Sequence, residues 1–209
     1  MDKKQLLDDL VKEMEAAAGK LPLTKKATDI VPPEGNPDAE VMFIGEAAGY
    51  HESVQRRPFV GAAGKLLTIT LEEIGIQRED VFIANMLCCR PPNNRDPLPE
   101  ELAAYGVYLD REIEIIEPKI IVTLGRFSMG KFLPGAKISQ VHGQARWINW
   151  RGRKILTVPM YHPAAALRAG EVMRQFKTDF GKLKQIIDNL HNVPKKEVKS
   201  EVPVQLNLV

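Results

Sequence analysis

Four stretches of this chain set chemically capable side chains among the glycines and prolines that hold a backbone in place. In "VMFIGEAAGY", residues 41–50, the carboxylate of Glu46 sits between two glycines directly after an apolar run. In "YHPAAALRAG", residues 161–170, His162 follows another apolar run, Pro163 stiffens the turn, and compact alanines precede Leu167 and Arg168. Such alanines let a second surface approach closely, and that combination suits a nucleic-acid duplex. Between these two, "NMLCCRPPNNRDPLPEE", residues 85–101, opens on Asn85 and carries Arg90 and Arg95 in a rigid cationic loop, where both can reach phosphate oxygens. The fourth, "RRPFVGAAGK", residues 56–65, brackets Phe59 with Pro58 and small residues, as a pocket wall would. Each also has a plainer reading. Phe59 can be a loop phenylalanine in the core, His162 a turn histidine with satisfied hydrogen bonds, and the arginine loop ordinary solvated surface.

Phosphate-loop chemistry is excluded by spacing. "GAAGK" has only two residues between its glycines and a leucine where the hydroxyl would stand, and no G-x-G-x-x-G occurs. The two cysteines, Cys88 and Cys89, are adjacent. They cannot staple the fold across a long loop or close a metal site unaided, so reducing surroundings are expected.

The elements that must position these residues are legible in the apolar pattern. The chain has 209 residues, 44% of them hydrophobic, enough for one core with covering helices. A formal charge of +2 neither requires nor excludes a nucleic-acid partner. No apolar run approaches the roughly 20 residues that span a bilayer, and the N-terminus lacks a signal-peptide core, so a soluble cytoplasmic protein is expected. Leu6, Leu7, Leu10, Val11 and Met14 recur at helical spacing, followed by a proline-rich arm to Pro37. Four runs, "EVMFIG", "DVFIANML", "KIIVTLG" and "KILTVP", read as strands, and helical patterns over 62–74 and 99–116 separate the first three. Alternating strand and helix predicts a parallel sheet covered on both faces. A short helix is expected over 126–133, a hairpin around Trp147 and Trp150 turning at Arg151-Gly152, and a last amphipathic helix over 170–190. The domain is placed at 1–192 and the tail 193–209 is expected to be a flexible extension or a docking peptide. In such a sheet ligands bind beyond the carboxyl ends of the strands, where Glu46, Asn85, Gly125 and His162 all fall.

In this order the segments resemble the uracil-DNA glycosylase superfamily, most closely its type-four, iron-sulfur branch. The resemblance runs from about residue 21 to residue 190 through "EGNPDAEVMFIGEAAG", "RRPFVGAAGKLL", "FIANMLCCRPPNNRDPLPEEL", "EPKIIVTLG" and "PMYHPAAALR". It implies a three-layer α/β/α sandwich around a four-stranded parallel sheet, and hydrolysis of the bond between uracil and deoxyribose in single- and double-stranded DNA, leaving an abasic site for base-excision repair. Carried over residue by residue, it implies that backbone groups of Glu46 and Ala47 line the base pocket, that Glu52 orients or activates the attacking water, and that Phe59 stacks on the flipped base. Asn85 reads the uracil edge, its carbonyl accepting from N3–H and its amino group donating to O4, a pattern cytosine does not match. His162 donates toward O2 as negative charge gathers on the leaving base. Leu167 fills the gap left in the duplex, with Arg168 near the backbone; Arg90 and Arg95 complete the expected DNA contacts. Flipping is required because the reactive bond is inaccessible within stacked DNA.

The chain departs from that family in three places. Ala48 replaces the proline of G-E-A/G-P-G, and Ala164 replaces the serine of H-P-S. At the four cluster-ligand positions stand Ala18, Leu21, Cys89 and Tyr105, so no iron-sulfur cluster or other metal is expected, and Tyr105 and Leu21 are expected to fill that volume with apolar contacts. The basic, histidine-bearing insertion of the branch that becomes covalently trapped at uracil is missing, and no lysine is placed to form an imine. A monomeric, monofunctional glycosylase acting on uracil-containing DNA, away from membranes, is therefore expected. Two other readings stay open: a glycosylase with broader range over deaminated bases, and a catalytically weak DNA-binding repair protein.

Overall fold

A computed structural model describes residues 2–192; the tail 193–209, with the extension or docking role expected of it, lies outside them. Helix α1 (Lys3–Ala16) begins at Asp2, whose carboxylate accepts the Gln5 N–H at 2.7 Å, and buries Leu7, Leu10 and Met14 on one stripe. The arm leads through a two-residue strand β1 (Glu34–Gly35) to β2 (Val41–Ala47), the short helix α2 (Tyr50–Gln55) and α3 (Ala62–Glu73). Then come β3 (Phe82–Leu87), α4 (Pro99–Ile116), β4 (Ile120–Leu124), α5 (Arg126–Phe132) and α6 (Ile138–Val141). The hairpin β5 (Arg146–Trp150) and β6 (Arg153–Met160) precedes α7 (Pro163–Ala166) and α8 (Gly170–Asn192).

The four apolar runs form the parallel centre of the sheet, β3-β2-β4-β6. They are buried on both faces, which is why they read as continuous apolar runs. Along β2, Met42 and Ile44 join Leu10, Met14, Tyr105 and Ile113 in the core beneath α1 and α4. Val41 and Phe43 point the other way, to Leu67, Leu71, Phe176 and Phe180 beneath α3 and α8. Phe43 and Phe180 stack with centroids 6.1 Å apart. The period of two in the strand therefore divides one sequence between two cores.

The expected four-stranded parallel sheet is corrected by its edges. Among the described residues the sheet has six strands in the order β1-β3-β2-β4-β6-β5 and is mixed. The hairpin expected around Trp147 and Trp150 forms, and it adds β5 antiparallel to β6, with Trp147 opposite Leu156. Arg151 and Gly152 both have positive φ, 48° and 81°, the twist a two-residue hairpin loop requires. At the other edge Glu34 and Gly35 pair antiparallel with Ile83 and Phe82. Two residues inside a proline-rich arm carry no alternation, so that edge has no sequence signal. Among the described residues no helix is long and apolar enough to cross a membrane.

Candidate active site

The chain leaves β2 for β3 on one side and later lays β4 on the other side of β2. A crevice opens where such connections diverge. A cleft of about 610 Å³ lies there, and it brings together Glu46 and Ala47 at the end of β2, Asn85 on β3, Gly125 after β4 and His162 after β6, with Glu52 from α2 and Phe59 from the loop that follows it. Arg95 and Arg168 also line it.

Its aromatic wall is built under constraint. Phe59 is buried at 6% exposure and has φ 51°, a left-handed backbone that costs a bulky residue about 1–2 kcal/mol. Arg78, which nothing in the sequence marked, holds the loop by donating to the carbonyls of Pro58 at 2.6 Å and Phe59 at 3.2 Å. Gly64, the second glycine of "GAAGK", lies against the Phe59 backbone: a methyl there would overlap its carbonyl group and stand 2.6 Å from its Cα. This glycine serves packing. On the strand beneath, Gly45 pairs in register with Asn85. A Cβ at residue 45 would stand 2.6 Å from the Phe59 ring and overlap the Asn85 side-chain oxygen, so ring and amide converge on one bare backbone position. A glycine inside a strand is the usual mark of such close approach, and was the available signal for it. Asn85 is 4% exposed, and its Oδ1 has no hydrogen-bond partner among the described residues. A buried polar atom left unpaired costs about 1–3 kcal/mol, so one retained beside a cleft is a position for a ligand.

Glu52 lies in the first turn of α2, and its Oε1 accepts the backbone N–H groups of Val60 at 2.9 Å and Gly61 at 2.7 Å. Gly61 caps α3, so the carboxylate meets the positive end of that helix. Its other oxygen faces Gly49, where a Cβ would come within 2.7 Å. Two glycines and two amides thus fix its direction. His162 caps α7, its Nδ1 accepting the Ala164 N–H at 3.1 Å. Burial lowers its pKa to about 4; the charge of Glu52 pulls upward and that of Arg168 pushes down. The imidazole is neutral at neutral pH, and with Nδ1 engaged as an acceptor its proton sits on Nε2. Its ring stands 5.7 Å from that of Phe59. The serine missing at Ala164 is not needed for this arrangement, since a backbone N–H makes the contact.

Glu46 is half-buried, and its pKa is raised by burial and by Asp96, against the pull of Arg126. Asp96 and Arg126 form an ion pair at the cleft. Arg95 is engaged by Glu101 through contacts of 2.6 and 2.8 Å, and Glu101 also accepts the Leu98 N–H that opens α4. Arg95 therefore braces its own loop. Arg90 donates to Asn94 at 2.8 Å and lies over the Tyr50 ring. Leu167, at 48% exposure, projects just past α7 beside the exposed Arg168.

Comparison with known proteins gives the family. Residues 32–184 match the Uracil DNA glycosylase superfamily. The chain belongs to that superfamily. It is 45% identical over 185 residues to a type-4 uracil-DNA glycosylase of Archaeoglobus fulgidus, covering 86% of this chain and 92% of the relative. With one of Sulfurisphaera tokodaii the identity is 46% over 184 residues, 84% of this chain and 83% of the relative. With one of Thermotoga maritima it is 43% over 183 residues, 87% and 95%.

An iron-sulfur cluster does not fit the residues of this member. Among the described residues no group of three or more His, Cys, Asp or Glu could hold a metal ion. Tyr105 is fully buried where a ligand would stand, and its hydroxyl donates to the Pro22 carbonyl at 2.7 Å, while Cys89 Sγ lies 3.2 Å from that hydroxyl. The contacts expected there to be apolar are in part a hydrogen-bonded chain from α4 through Tyr105 to the arm. Leu21 does pack against the core. Burial raises the Cys89 thiol to about 11, so it stays protonated and inert.

Proposed function

We propose that this protein is a monofunctional uracil-DNA glycosylase that hydrolyses the N-glycosidic bond of uracil in single- and double-stranded DNA and leaves an abasic site. The observation that carries this reading is the convergence of the Phe59 ring and the unpaired Asn85 side-chain oxygen on Gly45. A flipped pyrimidine stacks on the ring, and the amide answers its N3–H and O4. The backbone at Glu46 and Ala47 lines the same slot.

Chemistry follows from the two fixed groups. As the bond to the sugar lengthens, negative charge gathers on the base and positive charge on the sugar. His162, neutral, donates from Nε2 toward O2, where a donor strengthens as charge develops. Glu52 presents its free oxygen to a water and its charge to the electron-poor sugar. Leu167 wedges into the duplex where the base has left, Arg168 and Arg90 meet backbone phosphates, and Arg95 holds its loop beside them through Glu101. The protein acts as a single domain on DNA, in the cytoplasm and as a monomer.

The test is a mass-resolved product assay on uracil-containing single strands and on duplexes with U opposite G or A, without metal or nucleotide. Free uracil and an intact abasic strand are expected. Folded protein that binds these DNAs and releases no uracil would sink the reading.

A further inference from the structure

Beside the cleft, Tyr50 opens α2 directly after the cleft residue Gly49 and is 58% exposed. Its ring is fixed by contacts that leave much of it open. The Arg90 guanidinium lies 5.2 Å from the centroid, and the His51 ring meets it edge-on at 5.4 Å. Arg90 is in turn held by Asn94, which lines the cleft. Beyond Arg90 lie two hollows that share it: one of about 490 Å³ with Lys26, Thr28 and Ser53 on its wall, and one between Lys25 and the prolines Pro91 and Pro92. The other charges there are committed locally. Arg56 pairs with Glu15, and the Asp29 carboxylate accepts the backbone N–H groups of Lys25 and Lys26, not their ammonium groups. Both lysines are exposed.

An exposed aromatic ring held by a guanidinium and continued by exposed ammonium groups is the surface on which unpaired bases stack while their backbone follows the cations. We infer that Tyr50, with Arg90, Lys25 and Lys26, forms a track for single-stranded DNA leading into the cleft. The inference rests on the reading of the cleft as the site that takes a base from DNA, and adds a subsite for the neighbouring unpaired nucleotides. In a duplex those bases are already stacked on one another, so the ring favours single strands.

The test is fluorescence anisotropy of the full chain with labelled dodecathymidylate and with a uracil-free hairpin duplex. Tyr50→Ala is expected to weaken binding of the single strand by about 5- to 100-fold, the range for one lost base–aromatic stack, and to change duplex binding within about twofold. Tyr50→Phe keeps the ring and should bind as the parent does. Lys25→Ala with Lys26→Ala should lower the single-strand salt slope by about 1.4, two phosphate contacts' worth. Unchanged single-strand binding in Tyr50→Ala, or an equal loss on both DNA forms, overturns the track; an unchanged salt slope overturns the lysines' part in it. Neither probe contains uracil. A protein that shows the Tyr50 effect but excises no uracil would refute the cleft's chemistry and leave the track standing.

Discussion

The cleft beyond the strand ends and the corner where the arm meets α4 treat buried polar groups in opposite ways. In the corner, the Tyr105 hydroxyl is fully enclosed and paired, to Pro22 and Cys89. In the cleft, Asn85 keeps an unpaired oxygen, Phe59 holds a left-handed backbone, and Glu52 spends one oxygen on two amides and leaves the other facing glycine. A group satisfied within the protein holds the fold, whereas a group held rigidly but left unpaired is available to a ligand. The contrast has exceptions on the structural side: among the described residues, Glu112 of α4 is fully buried with both carboxyl oxygens unpaired, and the buried hydroxyls of Thr123 and Thr157 also lack a partner.

Five variants can break or sharpen that contrast. The largest effect is expected from Glu52→Gln, which keeps the size and removes the charge. Single-turnover uracil release at saturating enzyme should fall by about 10²–10⁴-fold, as for loss of a positioned base, with DNA affinity little changed. Normal cleavage would remove Glu52 from the chemistry. Next come the two residues of the base slot. Asn85→Asp turns the donor for O4 into an acceptor and should lower uracil release by about 10²-fold while admitting cytosine, which offers a donor at N4. Gly45→Ala should close the slot by crowding ring and amide and lower uracil release by about 10-fold or more, the scale at which a small misplacement near a reacting centre acts. Equal rates in either variant would mean that ring and amide do not share a base.

Glu112 gives a pH effect. Burial raises its pKa to about 8, so at neutral pH the carboxyl is protonated in the folded chain. Its folded pKa lies above its unfolded value, so the unfolded chain binds fewer protons over this window and stability falls as pH rises. Between about pH 6 and pH 8 the parent should lose about 2–3 kcal/mol through this group, and Glu112→Gln should flatten that part of the profile in urea unfolding. An unchanged slope would show that the carboxyl is already paired. The smallest effect is that of Tyr105→Phe. Leaving the Pro22 carbonyl and Cys89 without the hydroxyl should cost about 1–2 kcal/mol and lower Tm by a few degrees, with single-turnover cleavage unaltered. A loss of cleavage at a temperature where the variant is folded would show that the corner and the cleft are not separate.

The sequence by itself determined the strand–helix alternation and the four central strands, because apolar period and glycine punctuation are local properties of the chain; Glu52 was marked only by the family resemblance. Glu46 and His162 were legible because each follows an apolar run, and Asn85 because it interrupts one near its carboxyl end; those ends of parallel strands lie on one edge. The outer strands were decided elsewhere: β1 exists only because the arm lies against β3, and the hairpin legible around Trp147 and Trp150 extends the sheet only because β6 pairs with β4. The same holds within the site. The left-handed turn at Phe59, the grip of Arg78 on it and the closeness of Gly45 to Asn85 depend on chain segments far apart in sequence, and Arg95 lost its freedom to the carboxylate of Glu101, in the first turn of α4. Residue types state what a side chain can donate or accept. Only packing decides which of those capacities are spent inside the protein and which, like the Asn85 oxygen, are left for something else to meet.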